Sequence, residues 1–315
     1  MALYMNVYKV VLFRQAGLSD SRHPATVKEV RRKPMLYLFL AIASSAMVSV
    51  GMRATEKYVR STMVMFTANY AVCLAMSRLY MGDIRLFASQ SGMGLAVALG
   101  VVSGVLYLVN FVLLQRNIRL NGVVLSSASM KLGAVLIPVI AALLLFHERM
   151  RWLQLAGSVL AVAAILLINL EKGPIGHGRG KTGLLLLLAV SGITDTMANL
   201  YDKTGTEALK NHYLFYTFLA ALLLALVMAL HGREKPTIAD VCSGLLIGVP
   251  NYFSSRFILL ALGQVPAVVV YPVYSVGTII AITLIGLAVF HEKLNRRKAG
   301  ALTLILAALI MLNLP

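Results

Sequence analysis

Ten blocks of apolar residues run along the chain, over 35–52, 61–81, 92–115, 122–146, 152–170, 183–201, 213–231, 240–262, 266–290 and 298–314. Short polar connections separate them. A bilayer core about 30 Å thick is crossed by roughly 20 helical residues, and most of the blocks have about that length. Strands of such length and such unbroken apolarity are not expected in a water-soluble sheet. The pattern predicts an all-α polytopic membrane protein with ten transmembrane helices. Residues 1–34 form a basic N-terminal tail. Its apolar stretch, Met1 to Phe13, is followed by charged residues rather than by a small-residue cleavage site. The tail is read as an interfacial segment or a variable extension, not as a secretory signal.

The longest connection, a Gly-rich linker at 171–182, divides the blocks into two sets of five, 35–170 and 183–315. The two sets echo one another. Phe146-His147-Glu148-Arg149 returns 144 positions later as Phe290-His291-Glu292-Lys293, and Leu167-Ile168-Asn169-Leu170 returns as Met311-Leu312-Asn313-Leu314. Gly100 and Gly104 return at the same offset as Gly244 and Gly248, and Tyr107 falls against Tyr252. An odd number of spans per copy turns the second copy over in the membrane. The expectation is therefore two inverted five-helix repeats, an arrangement transporters use to build a site near the midplane. The two Gly-x-x-x-Gly pairs are read as close-packing surfaces between helices.

Composition agrees. The 315 residues are 59% hydrophobic and only 13% charged, with a mean hydropathy of +0.81. Soluble domains run at about 45–50% apolar and about 25% charged. Lys and Arg number 29 against 12 Asp and Glu, a net charge of +17. Most of these cations fall in the gaps between blocks, where anionic lipid headgroups are the expected partners. No basic stripe interleaved with aromatics is present, so nucleic acid is not an expected partner. Cys73 and Cys242 lie within or beside apolar blocks without metal-ligand neighbours, so neither a disulfide framework nor a metal site is expected, and no cofactor is implied.

Leu132-Gly133-Ala-Val-Leu-Ile-Pro138 through His147-Glu148-Arg149 to Gly157, echoed from Tyr271-Pro272 through His291-Glu292-Lys293 to Gly300, resembles the drug/metabolite transporter superfamily, EamA type. The likeness covers about residues 35–314. It implies a ten-helix secondary transporter whose spans 1, 3, 4, 6, 8 and 9 line a central cavity. Ser129-Met130-Lys131-Leu132 is similar, more locally, to the lysine-bearing segment of nucleotide-sugar transporters, where that lysine lies on the substrate path. An N-terminus inside the cell rests on the basic tail and on this likeness, because the loop cations otherwise divide almost evenly between the two sides.

Polar side chains inside hydrocarbon are costly and normally face a cavity or another helix. At helical spacing, the third block offers Ser103, Tyr107 and Asn110, and the fourth Ser127 and Lys131. The sixth offers Ser191, Asp195, Asn199 and Asp202, and the eighth Asn251, Tyr252, Ser255 and Arg256. The ninth offers Tyr271, Tyr274, Ser275 and Thr278, and the first Ser44, Ser45 and Ser49. The middles of the fifth, seventh and tenth are almost wholly aliphatic. Lys131 is the leading candidate, either as an ammonium that meets a substrate carboxylate or phosphate, or as an internal partner of Asp195, or as a deprotonated lysine. Asp195 is either a proton-coupling carboxylate or the counter-ion of Lys131 or Arg256. Arg256 either binds an anionic substrate or anchors one end of its span. Asn110, Tyr107, Ser127, Asn199, Tyr252, Tyr271, Tyr274 and Ser275 complete the candidate binding set, each with helix packing as the competing reading.

Three motifs are set aside. The His-Glu pairs at 147–148 and 291–292 lack the second His of a metalloprotease helix, and Gly176-His-Gly-Arg-Gly180-Lys181-Thr182 has the wrong glycine spacing for a phosphate loop. Glu148 and Glu292 are read as caps at helix junctions. The expected function is alternating-access transport of a small polar or anionic metabolite, such as an amino acid or organic acid, across a bacterial plasma membrane, by a monomer or homodimer. The alternatives are a nucleotide-sugar or phosphorylated-metabolite carrier, an exporter of drugs or cations, and, outside transport, a lipid scramblase or membrane-embedded enzyme. Acidic or His constellations at the membrane surface, which such an enzyme needs, are not found at convincing spacing, so the expectation is a non-enzyme.

Overall fold

The computed structural model of the chain describes residues 24–55, 57–81, 91–121, 123–169, 181–232 and 235–289, with scattered helical positions between 300 and 311. Within them lie nine α-helices: α1 (Pro24–Thr55), α2 (Thr62–Met81), α3 (Met93–Asn121), α4 (Val123–Leu144), α5 (Trp152–Asn169), α6 (Lys181–Thr204), α7 (Lys210–His231), α8 (Ile238–Leu262) and α9 (Ala267–Val289). A 3-10 turn, Glu207–Leu209, precedes α7. No strand occurs among the described residues. The far N-terminal tail, most of the linker, the Phe290–Lys293 echo and most of the tenth block lie outside them.

Among the described residues, five helices are long and apolar enough to cross a membrane: Met35–Thr55, Met93–Leu114, Thr182–Thr204, Glu207–His231 and Ile238–Leu262. Ser129–Leu144 within α4 and Ala267–Ile282 within α9 are further apolar stretches. The protein is accordingly an integral membrane protein. Its outer surface agrees, with Val227, Leu230, Leu246, Leu144 and Leu185 all exposed. In water these would form apolar patches larger than a soluble monomer tolerates. Trp152 and Tyr58 stand exposed at helix ends on opposite faces of the bundle, as interfacial aromatics do. The helix α1 begins well before the first apolar block, with Pro24 in the first-turn position where its missing N–H costs nothing.

Side-chain contacts between helix ends define the two faces. One face gathers Tyr80, Gly92, Glu148, Lys203, Thr206, Asn211 and Val268. Because α1 starts there, it is called the tail face. The opposite face gathers Arg60 with Asp240, and Asn117 with Gly183.

Glycines set the closest helix approaches. A Cβ at Gly100 would lie 2.8 Å from Tyr216 Cβ and 2.9 Å from the Tyr213 carbonyl, and one at Gly104 would strike the Thr217 carbonyl and Ala220, so α3 lies directly against α7. Likewise α8 lies against α2, where a Cβ at Gly244 would strike the Met65 carbonyl and one at Gly248 would lie 2.8 Å from the Asn69 carbonyl. At Gly133 of α4 it would strike the Leu188 carbonyl of α6, and at Gly277 of α9 it would lie 2.6 Å from Ile42 of α1. Small residues permit such backbone proximity in a bilayer, where packing rather than hydrophobicity joins helices. The largest buried cluster includes Tyr70, Phe66, Phe218, Tyr252 and Ile247 from α2, α7 and α8. A second joins Leu38, Ala142, Leu262, Val268 and Tyr271 near the tail face.

Candidate functional site

Lys131 enters the interior from α4, nine residues into the helix. Asp195 enters from α6, which packs on α4 through Gly133 and Gly192. The two charges lie within electrostatic reach of each other. They form no ion pair within 4.0 Å, and among the described residues the Asp195 carboxylate accepts no hydrogen bond. Both side chains remain partly accessible although each lies far from its helix ends. A charge in hydrocarbon carries a penalty of at least about 2.5–3.5 kcal/mol. Two partly accessible opposite charges inside the bundle therefore mark a polar interior space.

Tyrosines surround this space. Lys131 Nζ stands 5.7 Å from the centre of the Tyr274 ring, within cation–π range. The Tyr274 hydroxyl shares a 3.0 Å hydrogen bond with Ser254 of α8. Tyr107 of α3 shares a 3.2 Å hydrogen bond with Ser255 of α8. Tyr271 donates to the backbone carbonyl of Asp195, which ties α9 to α6 at the residue that carries the charge. Tyr107, Tyr213, Tyr271 and Tyr274 are all within electrostatic reach of the Asp195 carboxylate. Tyr213 in turn shares a 2.9 Å hydrogen bond with Ser103 and stacks on Tyr201 at 4.3 Å.

Of the sequence-predicted set, Lys131, Asp195, Tyr107, Tyr271 and Tyr274 come together. Asn110, Asn199 and Ser275 are buried, and Asn199 and Ser275 have no exposure at all. Asn110 Oδ1, both amide atoms of Asn199 and Ser275 Oγ have no hydrogen-bond partner among the described residues. An unpaired buried polar atom costs about 1–3 kcal/mol, so these four atoms call for water or ligand. The side chain of Ser127 lies outside the described residues.

Arg256 is placed apart, and so is Tyr252. The guanidinium stacks over Tyr80, 4.2 Å from its ring centre. Its Nη1 donates to Asn211 Oδ1 at 2.6 Å and to Tyr252 Oη at 3.0 Å. It thus pins the ends of α2, α7 and α8 at the tail face. All of these contacts lie toward one end of its span.

Ser254 and Tyr213 are the interior residues that sequence reasoning passed over. Ser254 sits one position from the stripe that Asn251 and Ser255 define. Tyr213 opens a helix whose middle is aliphatic, and its run of aromatics reads as an interfacial belt. The nearby Ser103, on a neighbouring helix at matching depth, is the signal that could have singled it out.

No known family model matches the chain. An uncharacterized protein of Haemophilus influenzae is 27% identical over 192 residues, 59% of this chain and 65% of that relative, so the match spans just under two thirds of the relative's length. A solved crystal structure with a TM-score of 0.68 covers 89% of this chain and 96% of its own, at 15% identity. At that identity the likeness concerns the fold alone.

Proposed function

We propose that the chain is a secondary transporter of the EamA type, working by alternating access, and that its substrate is a small zwitterionic metabolite such as an amino acid. The observation that carries this reading is the pair Lys131 and Asp195. They face one polar interior space with opposite charges, yet form no ion pair. A carboxylate meets Lys131 and an ammonium meets Asp195, with the Tyr274 and Tyr107 rings beside them. Arg256 is occupied by Tyr80, Tyr252 and Asn211. Among the described residues, Lys131 is then the cation this space offers to a substrate anion, which suits a single carboxylate better than a diphosphate.

Support for two inverted halves comes from paired contacts. Gly100 meets Tyr213, Tyr216 and Thr217, while Gly244 meets Met65, Ala68 and Asn69, each partner 148 positions from its counterpart. Gly133 against Leu188 and Gly277 against Ile42 repeat the pattern for the helices that carry Lys131 and Tyr274. Such halves rock about a midplane site. A bacterial plasma membrane is the proposed location, in keeping with the H. influenzae relative.

The test is uptake into proteoliposomes of matched triplets: an amino acid, the amine without its carboxyl group, and the acid without its amino group. The amino acid is expected to be carried at least tenfold faster than either fragment. Lys131→Ala should erase its advantage over the amine, and Asp195→Asn its advantage over the acid. If no triplet member moves, or if Lys131→Ala carries all three as the wild type does, the proposal fails.

A further inference from the structure

The proposed transport cycle needs one mouth of the interior space to be shut while the other is open, and the tail face carries a contact suited to that task. Glu148 lies in the turn between α4 and α5. Its side chain is 8% exposed, and its two carboxylate oxygens are divided between two elements. Oε1 pairs with Lys203 Nζ at the end of α6, at 3.0 Å. Oε2 accepts the backbone N–H of Val268, in the first turn of α9, at 3.1 Å. That N–H belongs to the set a helix start leaves without an internal partner, at the positive end of the helix dipole. A single carboxylate thus fastens the first five-helix set to two elements of the second.

The turn is built to hold it there. His147 has φ 52°, a left-handed conformation rare outside glycine. The carbonyl of Ala141 accepts from Leu145 and Phe146, and that of Ala142 from Glu148 itself at 3.0 Å. Beneath the carboxylate lies the buried cluster of Ala142, Ile258, Ala261, Leu262, Val268, Val270 and Tyr271. Tyr271, in turn, bonds the backbone of Asp195. Val268 and Tyr271 are about one helical turn apart, so the seal and the charged site lie along one packed path. Another buried ion pair of this face, Lys210 with Asp202 at 2.9 Å, joins α6 to α7 within the second set, so it does not respond to movement between the sets.

We propose that Glu148 is a latch that shuts the tail-face mouth of the interior space by bridging Lys203 and the start of α9, and that it parts when the halves rock. This rests on the transport reading above. Glu148 and Lys203 sit at a membrane surface, where water can take over the charges on parting, so the latch can open without stranding them in hydrocarbon.

The test uses full-length protein with Cys73→Ala and Cys242→Ser, and Ser254→Cys as a reporter beside Tyr274. A membrane-impermeant maleimide is applied from the tail face in oriented vesicles. Lys203→Ala and Glu148→Gln are each expected to speed labelling at least tenfold, and the double variant no further, because both open one latch. Lys203→Ala removes a side chain that is 36% exposed and guards against misfolding, and each variant is checked for a single monodisperse peak. Unchanged labelling in folded Lys203→Ala and Glu148→Gln, or additive effects in the double variant, overturns the latch. The readout needs no substrate: faster labelling in a protein that moves nothing keeps the latch and defeats transport, while transport with unchanged labelling does the reverse.

Discussion

Lys131 and Tyr274 meet across α4 and α9, the ammonium 5.7 Å from the ring centre, while the ring's own hydroxyl is held 3.0 Å from Ser254. The ring is thus fixed from α8 and offers its face to a cation from α4. Desolvated contacts of this kind are worth about 0.5–2 kcal/mol.

The ring and its anchor can be separated by substitution. Tyr274→Phe keeps the face and loses the tether, so KM for the substrate should rise roughly two- to threefold. Tyr274→Leu loses both and should raise KM by a factor of about 5–30, the equivalent of about 1–2 kcal/mol. Initial rates in proteoliposomes give the comparison. Equal KM values for the two variants would remove the cation–π contact from the account of binding.

Lys131, Asp195 and the tyrosines of α3 and α9 were legible because polar residues in an apolar block must find polar company, and helical spacing tells which of them share a face. The partners were not legible. Nothing in the spacing of Arg256 announces that Tyr80 and Asn211, far apart in sequence, will close around it. The five helices that are long and apolar enough to cross a membrane, among the described residues, follow from block length and apolarity. The extension of α1 back to Pro24 does not, because a polar helix outside the membrane carries no hydropathy signal. Glu148 could be read from its position as a helix-junction cap, but the identity of the helix it caps, α9, belongs to tertiary packing.

Arg256 tests the division between site and scaffold. Its planar group both stacks on Tyr80 and donates to two side chains, a combination a lysine cannot reproduce. Arg256→Lys should lower the thermal midpoint of the purified protein by several degrees and leave KM within about twofold of wild type, the loss being roughly 1–3 kcal/mol of charge-assisted contacts. A raised KM with an unchanged midpoint would return Arg256 to the substrate path.

Asp240 caps two helices at once. Oδ2 accepts from the Thr237 N–H at 3.0 Å and from its hydroxyl at 2.6 Å, completing a capping box for α8. Oδ1 accepts from the Arg60 and Ser61 N–H groups at 2.7 and 3.1 Å, just ahead of α2. With no exposure, Asp240 cannot be replaced there by bulk water. Asp240→Ala should cost about 1–3 kcal/mol, since it strands buried donors. Thr237→Ala should cost about 1 kcal/mol, since it loses a cap alone. Denaturant or thermal unfolding in detergent ranks the two, and an Asp240→Ala protein no less stable than Thr237→Ala would show that the Arg60 and Ser61 bonds contribute nothing.

Two glycines of α3 separate close packing from mere helix propensity. At Gly104 an added methyl group would strike the Thr217 carbonyl and lie 2.7 Å from Ala220 Cβ, a collision with backbone that no rotamer change can relieve. At Gly94, the second residue of the same helix, nothing lies within 4 Å. Propensity alone favours Ala over Gly at a helical position by roughly 0.8–1 kcal/mol. Gly94→Ala should therefore be neutral or slightly stabilising. Gly104→Ala should lose about 1–3 kcal/mol through the forced separation of α3 from α7. Gly248→Ala should behave like Gly104→Ala, because it meets Val72 and the Asn69 carbonyl in the matching way on α2. Melting curves of the three variants against wild type decide the matter. If Gly104→Ala and Gly248→Ala follow Gly94→Ala, helix propensity governs these positions, and the paired glycine contacts lose their place as the fixed points about which the two halves are held.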